Sequence, residues 1–132
     1  MMSKPICEVT VTASDGKKKR VPALVDSGSF FTIIRTDCLP SAKAVLPLKR
    51  SYRLGTAARK GSVKITARTV FVVEIAGKRI QTSALVSPNL KREMIIGAET
   101  MQGWDISVRN RNGSTRVVVG RDMRDPDVVE VA

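Results

Sequence analysis

The stretch ALVDSGS, Ala23 to Ser29, carries one carboxylate, Asp26, at the end of an apolar run. Two serines and a glycine follow it, and the apolar run FFTII then resumes. Asp, Ser and Gly also make ordinary turns, but apolar flanks on both sides place this turn within the fold rather than at a wet tip. An ionised acid in such a place needs hydrogen-bond donors or a change in its protonation. Ser27 and Ser29 offer hydroxyls, and Gly28 allows a close approach of other backbone or of a substrate. The chain has no histidine, which excludes histidine-based triads, Cys–His pairs and the usual zinc sites. Catalysis, if present, rests on carboxylates, hydroxyls or lysine. The two cysteines, Cys7 and Cys38, have neither metal nor redox spacing and are expected as reduced, buried thiols.

The elements that must hold Asp26 read as β-structure. ICEVTVTA, from Ile6, alternates Cys7, Val9, Val11 and Ala13 with polar residues, the period of a half-buried strand. SDG supplies a turn, and RVPALV returns as a second strand, so the chain reaches Asp26 through a hairpin. FFTII reads as a third strand, TDCLPSAKAVLPLKR as an irregular connection, and SYRLG as a strand leading to a hairpin at Gly55–Gly61. Long β-structure then runs to Ile75. IQTSALV is another strand, PNLKRE a loop, MIIG a short buried strand, and AETMQ a helical turn ended by Gly103. The last hairpin turns at Asn112-Gly113, and VVEVA at the end of the tail reads as an edge strand. Aromatic residues make up only 4% of the chain, so the core is built from Val, Ile, Leu and Ala, a set that favours sheet. The expectation is an all-β fold of one domain over residues 1–132, with a core of about 5–120 and a tail at 121–132.

ALVDSGS resembles the apolar-apolar-Asp-Thr/Ser-Gly-Ala/Ser signature of aspartic proteases. MIIGAETM, Met94 to Met101, is similar to their second signature, two apolar residues and a glycine just before a short helix. The order and separation of the two suit the small retroviral-type branch, the retropepsins. The resemblance implies a small closed β-barrel-like fold with one short helix. It also implies a homodimer, because a chain with one Asp26 serves a two-acid chemistry only by pairing with its copy at a two-fold axis. Two carboxylates about 4 Å apart repel by about 4 kcal/mol at an effective dielectric near 20, so the pair shares one proton. The charged acid activates a water as general base, and its protonated partner assists the carbonyl oxygen and the leaving nitrogen. The implied activity is that of an aspartic endopeptidase acting on extended peptides.

By the same resemblance, Ser27 reaches the partner's loop, Gly28 faces the substrate backbone, and Ser29 donates to Asp26, which favours an acidic optimum. Ile33 and Ile95 line apolar substrate pockets. Thr56, Ala57 and Ala58 belong to the flap within Gly55–Gly61, and Ile96 and Gly97 pack against the catalytic loop. Phe30 and Ala98 stand where viral members place an acid and an arginine that pair, and Glu99 stands where Asp or Asn is usual. Arg59 and Lys60 in the flap point to acidic residues in the substrate. No cofactor or metal is expected.

Two other readings share these residues: a non-catalytic retropepsin-like dimerisation or peptide-binding module, and a basic β-barrel that binds nucleic acid. The net charge of +11, from 23 basic and 12 acidic side chains, favours anionic partners. Its only dense run, Lys17–Arg20, reads as a solvated hairpin tip, and the scarcity of aromatics argues against a base-stacking platform. Nucleic acid is therefore not the expected partner. No apolar run approaches the ~20 residues of a membrane span, and MMSKPICEV lacks the apolar core of a signal peptide, so a cytoplasmic setting is expected.

Overall fold

A computed structural model describes residues 5–55 and 61–125. Among these residues nine strands, β1 (Ile6–Ala13), β2 (Lys18–Val25), β3 (Ile33–Arg35), β4 (Leu46–Gly55), β5 (Ser62–Ile75), β6 (Lys78–Ser87), β7 (Met94–Ile96), β8 (Ile106–Arg111) and β9 (Ser114–Val119), accompany one α-helix, α1 (Ala98–Trp104). The alternation that marks strands in the sequence is clearest in β5, where Val63, Ile65, Ala67, Thr69, Phe71, Val73 and Ile75 all turn inward. With side chains alternating across the sheet, such a pattern fixes one face to the core along the whole strand.

The pairing order β1-β2-β7-β3-β6-β5 returns to β1 through a second antiparallel contact, Thr10–Ala13 with Phe71–Glu74. The result is a closed six-strand barrel, with β4 attached outside on β5. Val9, Val11, Val21, Val25, Ile34, Val73, Ile75, Ile80, Val86, Met94 and Ile96 fill it. A smaller cluster, Ile33, Val63, Ile65, Leu85 and Leu90, lies beside it, with Leu54 and Ile95 packed on. The β8–β9 hairpin is a separate two-stranded sheet. Its turn is Asn112-Gly113, both at positive φ, as a two-residue primed turn demands.

Several local expectations are corrected. Phe30 and Phe31 are not strand: β3 begins at Ile33, and the two rings are 57% and 37% exposed. The connection after β3 is only partly irregular. A 3₁₀ turn at Thr36–Cys38 comes first, and strand resumes at Leu46, because backbone pairing with Ala67 and Arg68 overrides Pro47. Gly103 does not end α1. The helix continues to Trp104, whose indole N–H donates to the Gln81 carbonyl at 2.9 Å, and Asp105 takes the left-handed cap at φ 52°. Lys18 to Arg20 belong to β2 rather than to the hairpin tip, although all three are exposed. Cys38 is buried and Cys7 half-buried; both are free thiols, and burial pushes both up from the ordinary thiol range. VVEVA lies outside the described residues. No helix among the described residues is long and apolar enough to cross a membrane.

Past β9 the chain is tied back to the barrel. Met123 N–H donates to the Arg79 carbonyl at 2.9 Å, and the buried Asp122 accepts from the Arg124 backbone at 2.8 Å, the Arg124 guanidinium at 3.2 Å and the Arg79 N–H at 3.3 Å. The Arg124 guanidinium and these N–H groups hold the Asp122 carboxyl well below the usual carboxylate range. A group depressed in this way stabilises the fold above its unfolded pKa of about 4, and that contribution is lost as the pH falls below it. Asp122→Asn should therefore lower the melting temperature at pH 6, with the gap to the parent narrowing on acidification toward pH 2 (a test range, roughly spanning carboxylate titration). A gap independent of pH would show that the charge on Asp122 contributes nothing.

Candidate active site

Asp26 follows the last residue of β2, and two neighbouring segments fix it there. β2 runs parallel to β7 with Val25 beside Ile96, and the Asp26 N–H donates to the Ile96 carbonyl at 2.9 Å. The loop then folds on itself. Gly28 N–H donates to Asp26 Oδ1 at 2.9 Å, and Ser29 N–H to the Asp26 carbonyl at 3.1 Å. No other described donor reaches the carboxylate. Ser27 and Gly28 are exposed and Asp26 is half-buried, so the turn lies at the surface of the single chain, not in its interior. The apolar flank before Asp26 was a sound guide to β2, but the flank after it and the turn between them were misjudged.

The second signature locks this loop from behind. Ala98 N–H donates to the Ser29 carbonyl at 2.7 Å and Glu99 N–H to the Phe30 carbonyl at 2.9 Å. Gly97 sits so tightly against the loop that an added Cβ would lie 2.3 Å from the Phe31 oxygen and 2.7 Å from that of Ser29. Ile96 and Gly97 thus meet the Asp26 loop directly. Ser29 behaves otherwise than expected. Its hydroxyl donates to the Phe31 carbonyl at 2.8 Å and not to Asp26, so the hydroxyl argument for an acidic optimum falls away.

Sequence reasoning missed a chain of hydroxyls beneath the loop, buried at Thr32 and Thr100 and half-buried at Thr82. Gly97 N–H donates to Thr32 Oγ at 3.1 Å, Thr32 and Thr100 share a hydrogen bond of 2.5 Å, and Thr100 and Thr82 share one of 2.7 Å. The Thr82 hydroxyl donates to the Ser83 carbonyl at 3.0 Å. Each hydroxyl has one proton to give, so the ends set the direction: Thr32 donates to Thr100, and Thr100 donates to Thr82. The chain joins the loop, α1 and β6. Its sequence signal was Thr32 itself, a lone polar residue within FFTII. Thr32→Val would leave Gly97 N–H unpaired in the interior and Thr100 without the proton it accepts, though still bonded to Thr82, and should cost about 1–3 kcal/mol, whereas Thr32→Ser should cost less. Denaturant midpoints for the two variants check this; equal midpoints would remove any stabilising role for the hydroxyl.

In front of Asp26 opens a cleft of about 930 Å³. Ile33 and Ile95, paired across β3 and β7, form its floor, with Leu54 and Val63 on the side toward Gly55 and Gly61. Thr56, Ala57, Ala58, Arg59 and Lys60 lie outside the described residues. Asn89 ties the β6–β7 loop to β5 by accepting from Lys64 N–H at 2.9 Å, which brings the buried Leu90 and, beside it, Lys91 and Arg92 into the lining. None of these lining residues was anticipated; their place follows from a loop docking on a strand far away in sequence.

A closed barrel with an Asp-Ser-Gly turn, backed by an apolar-apolar-glycine strand and a short helix, defines the fold of the single-motif aspartic proteases. The chain belongs to the retroviral aspartyl protease family, whose profile matches residues 1–109. Among solved structures it is similar to the retroviral protease-like domain of Ddi1 from Leishmania major, with 19% identity, a TM-score of 0.60, and 95% of this chain and 99% of that one covered. It is also similar to the EIAV protease in complex with an inhibitor, with 22% identity, a TM-score of 0.52, and 76% and 88% covered. At these identities the likeness concerns the fold. No curated protein sequence matches the chain.

Proposed function

We propose that the protein is an aspartic endopeptidase that works as a symmetric homodimer, with Asp26 of each subunit forming the catalytic pair. The observation that carries this reading is Asp26 itself, held by Ile96 and Gly28 at the mouth of an apolar cleft. It is the only acid among the described lining residues, which supports a second carboxylate supplied by another copy. The exposed Ser27–Gly28 face supports such pairing, because it leaves the loop free to meet a partner loop. In the pair, one Asp26 takes a proton from water as that water attacks the peptide carbonyl. The other, protonated, hydrogen-bonds the carbonyl oxygen and then supplies a proton to the departing nitrogen. Family membership supports a peptide as the substrate.

Hydrolysis of a mixed peptide library between pH 3 and 7 (roughly bracketing the titration of a carboxyl pair), with and without an aspartic-protease inhibitor, tests the activity. Specific activity that rises with protein concentration tests the dimer. A folded dimer that cleaves nothing would leave the peptide-binding module as the better reading. One observation favours that alternative: with Ser29 turned to Phe31, the Asp26 carboxylate has Gly28 as its sole described donor.

A further inference from the structure

Beyond the activity, the two ends of the cleft differ in chemistry. Phe30 and Phe31 stand at the Asp26 end, T-stacked with centroids 5.0 Å apart and both substantially exposed. The whole chain has only three Phe, one Trp and one Tyr. Placing two of these five side by side at the surface costs solvation unless something covers them, and a patch of this kind marks a contact site. At the far end stand Lys91 and Arg92. Neither makes an ion pair among the described residues. Glu93, next in sequence, is not part of the lining, and Arg35 nearby is already paired with Asp37 at 2.6 Å.

The register measures the separation. Gly97 touches Phe31, Ile95 pairs with Ile33, and the Glu93 carbonyl accepts from Arg35 N–H, while that of Lys91 accepts from the Arg35 guanidinium. The aromatic and cationic ends therefore flank the three-residue strand β3, about four residues apart, or at most about 14 Å at the 3.4 Å rise of an extended chain. An extended peptide lying along the β3–β7 floor has the same rise.

Building on the peptidase reading, we propose that the cleft selects peptides with a large apolar residue near the scissile bond and an acidic residue about four positions away. The apolar residue covers Phe30 and Phe31; the carboxylate meets Lys91 and Arg92. The apolar wall supplies most of the affinity, and the cations set which sequences are accepted.

The test uses full-length protein carrying Asp26→Asn, so that binding is read without turnover. Its probes are short fluorescein-labelled peptides with Phe at one position and Glu, Gln or Lys about four residues to either side. The Glu peptide should bind about tenfold more tightly than the Gln peptide at low ionic strength, the scale of two exposed ion pairs. That preference should shrink near 0.5 M salt, where the Debye length is about 4 Å. Lys91→Glu with Arg92→Glu should invert it in favour of the Lys peptide, and Phe30→Ala with Phe31→Ala should weaken all three alike. Equal binding of the Glu and Gln peptides, or no binding of any, overturns the proposal. If the preference is found but the parent protein cleaves none of these peptides, the peptidase reading fails and the selectivity stands.

Discussion

Asp26→Asn is expected to abolish peptide hydrolysis while leaving the protein folded and paired. The amide oxygen of asparagine can still accept from Gly28 N–H, and the Asp26 backbone contact to Ile96 does not involve the side chain. On the peptidase reading, what is lost is the group that takes a proton from water, and in a symmetric dimer it is lost from both subunits at once. General acid–base catalysis contributes about 10²–10⁴-fold per group, so kcat/KM should fall by about 10⁴-fold or more when both are removed. The melting temperature should move little, as for other partly exposed substitutions. Activity within tenfold of the parent would show that Asp26 is not the base, and the peptidase assignment would go with it.

Gly97→Ala should have the largest effect on the fold for a single methyl group. The new Cβ has backbone, not a flexible side chain, at 2.3 Å and 2.7 Å. Side chains can change rotamer to make room, but the carbonyls of Ser29 and Phe31 can move only if the loop moves. Those carbonyls belong to the segment that receives Ala98 and Glu99 N–H, so a shift breaks the bonds that brace Asp26. Forced overpacking costs about 1–3 kcal/mol, and this case lies at the upper end. For a chain of this size, 3 kcal/mol corresponds to a drop of about 10 °C in melting temperature. Activity should fall further than the folded fraction, since the loop is displaced even in molecules that remain folded. A variant with unchanged melting temperature and activity would mean that the loop is not rigidly seated on Gly97.

The parts of the fold legible in the sequence were those that depend on neighbours in the chain. The alternation along β1 and β5 reports which face is buried, because side chains project to opposite faces with a period of two. Asn112-Gly113 reports a turn, because both positions need positive φ. Phe30 and Phe31 misled for the same reason. They extend an apolar run, yet the chain turns between Asp26 and Thr32 and leaves them outside. A run of apolar residues records composition; whether it is strand depends on a partner that the run does not contain. Gly103 misled similarly, since Trp104 anchors α1 one residue beyond it through Gln81.

At the site the division is sharper. The order of residues alone gives one acid followed by Ser-Gly between two apolar runs, no histidine to assist it, and an Ile-Ile-Gly segment farther along. Those are facts of residue type and order. It took the folded chain to show that Gly97 touches the Asp26 loop, that the Ser29 hydroxyl serves Phe31, that Thr32, Thr100 and Thr82 form one proton-ordered chain, and that Lys91 and Arg92 line the same cleft as the aromatic pair. The barrel closes β1 on β5 and sets β3 between β6 and β7, bringing together groups far apart in the chain. Hydrogen-bond direction and cleft chemistry are properties of those meetings. Local periodicity carries no record of them, because it is fixed by each strand's own geometry before the strand finds its partner.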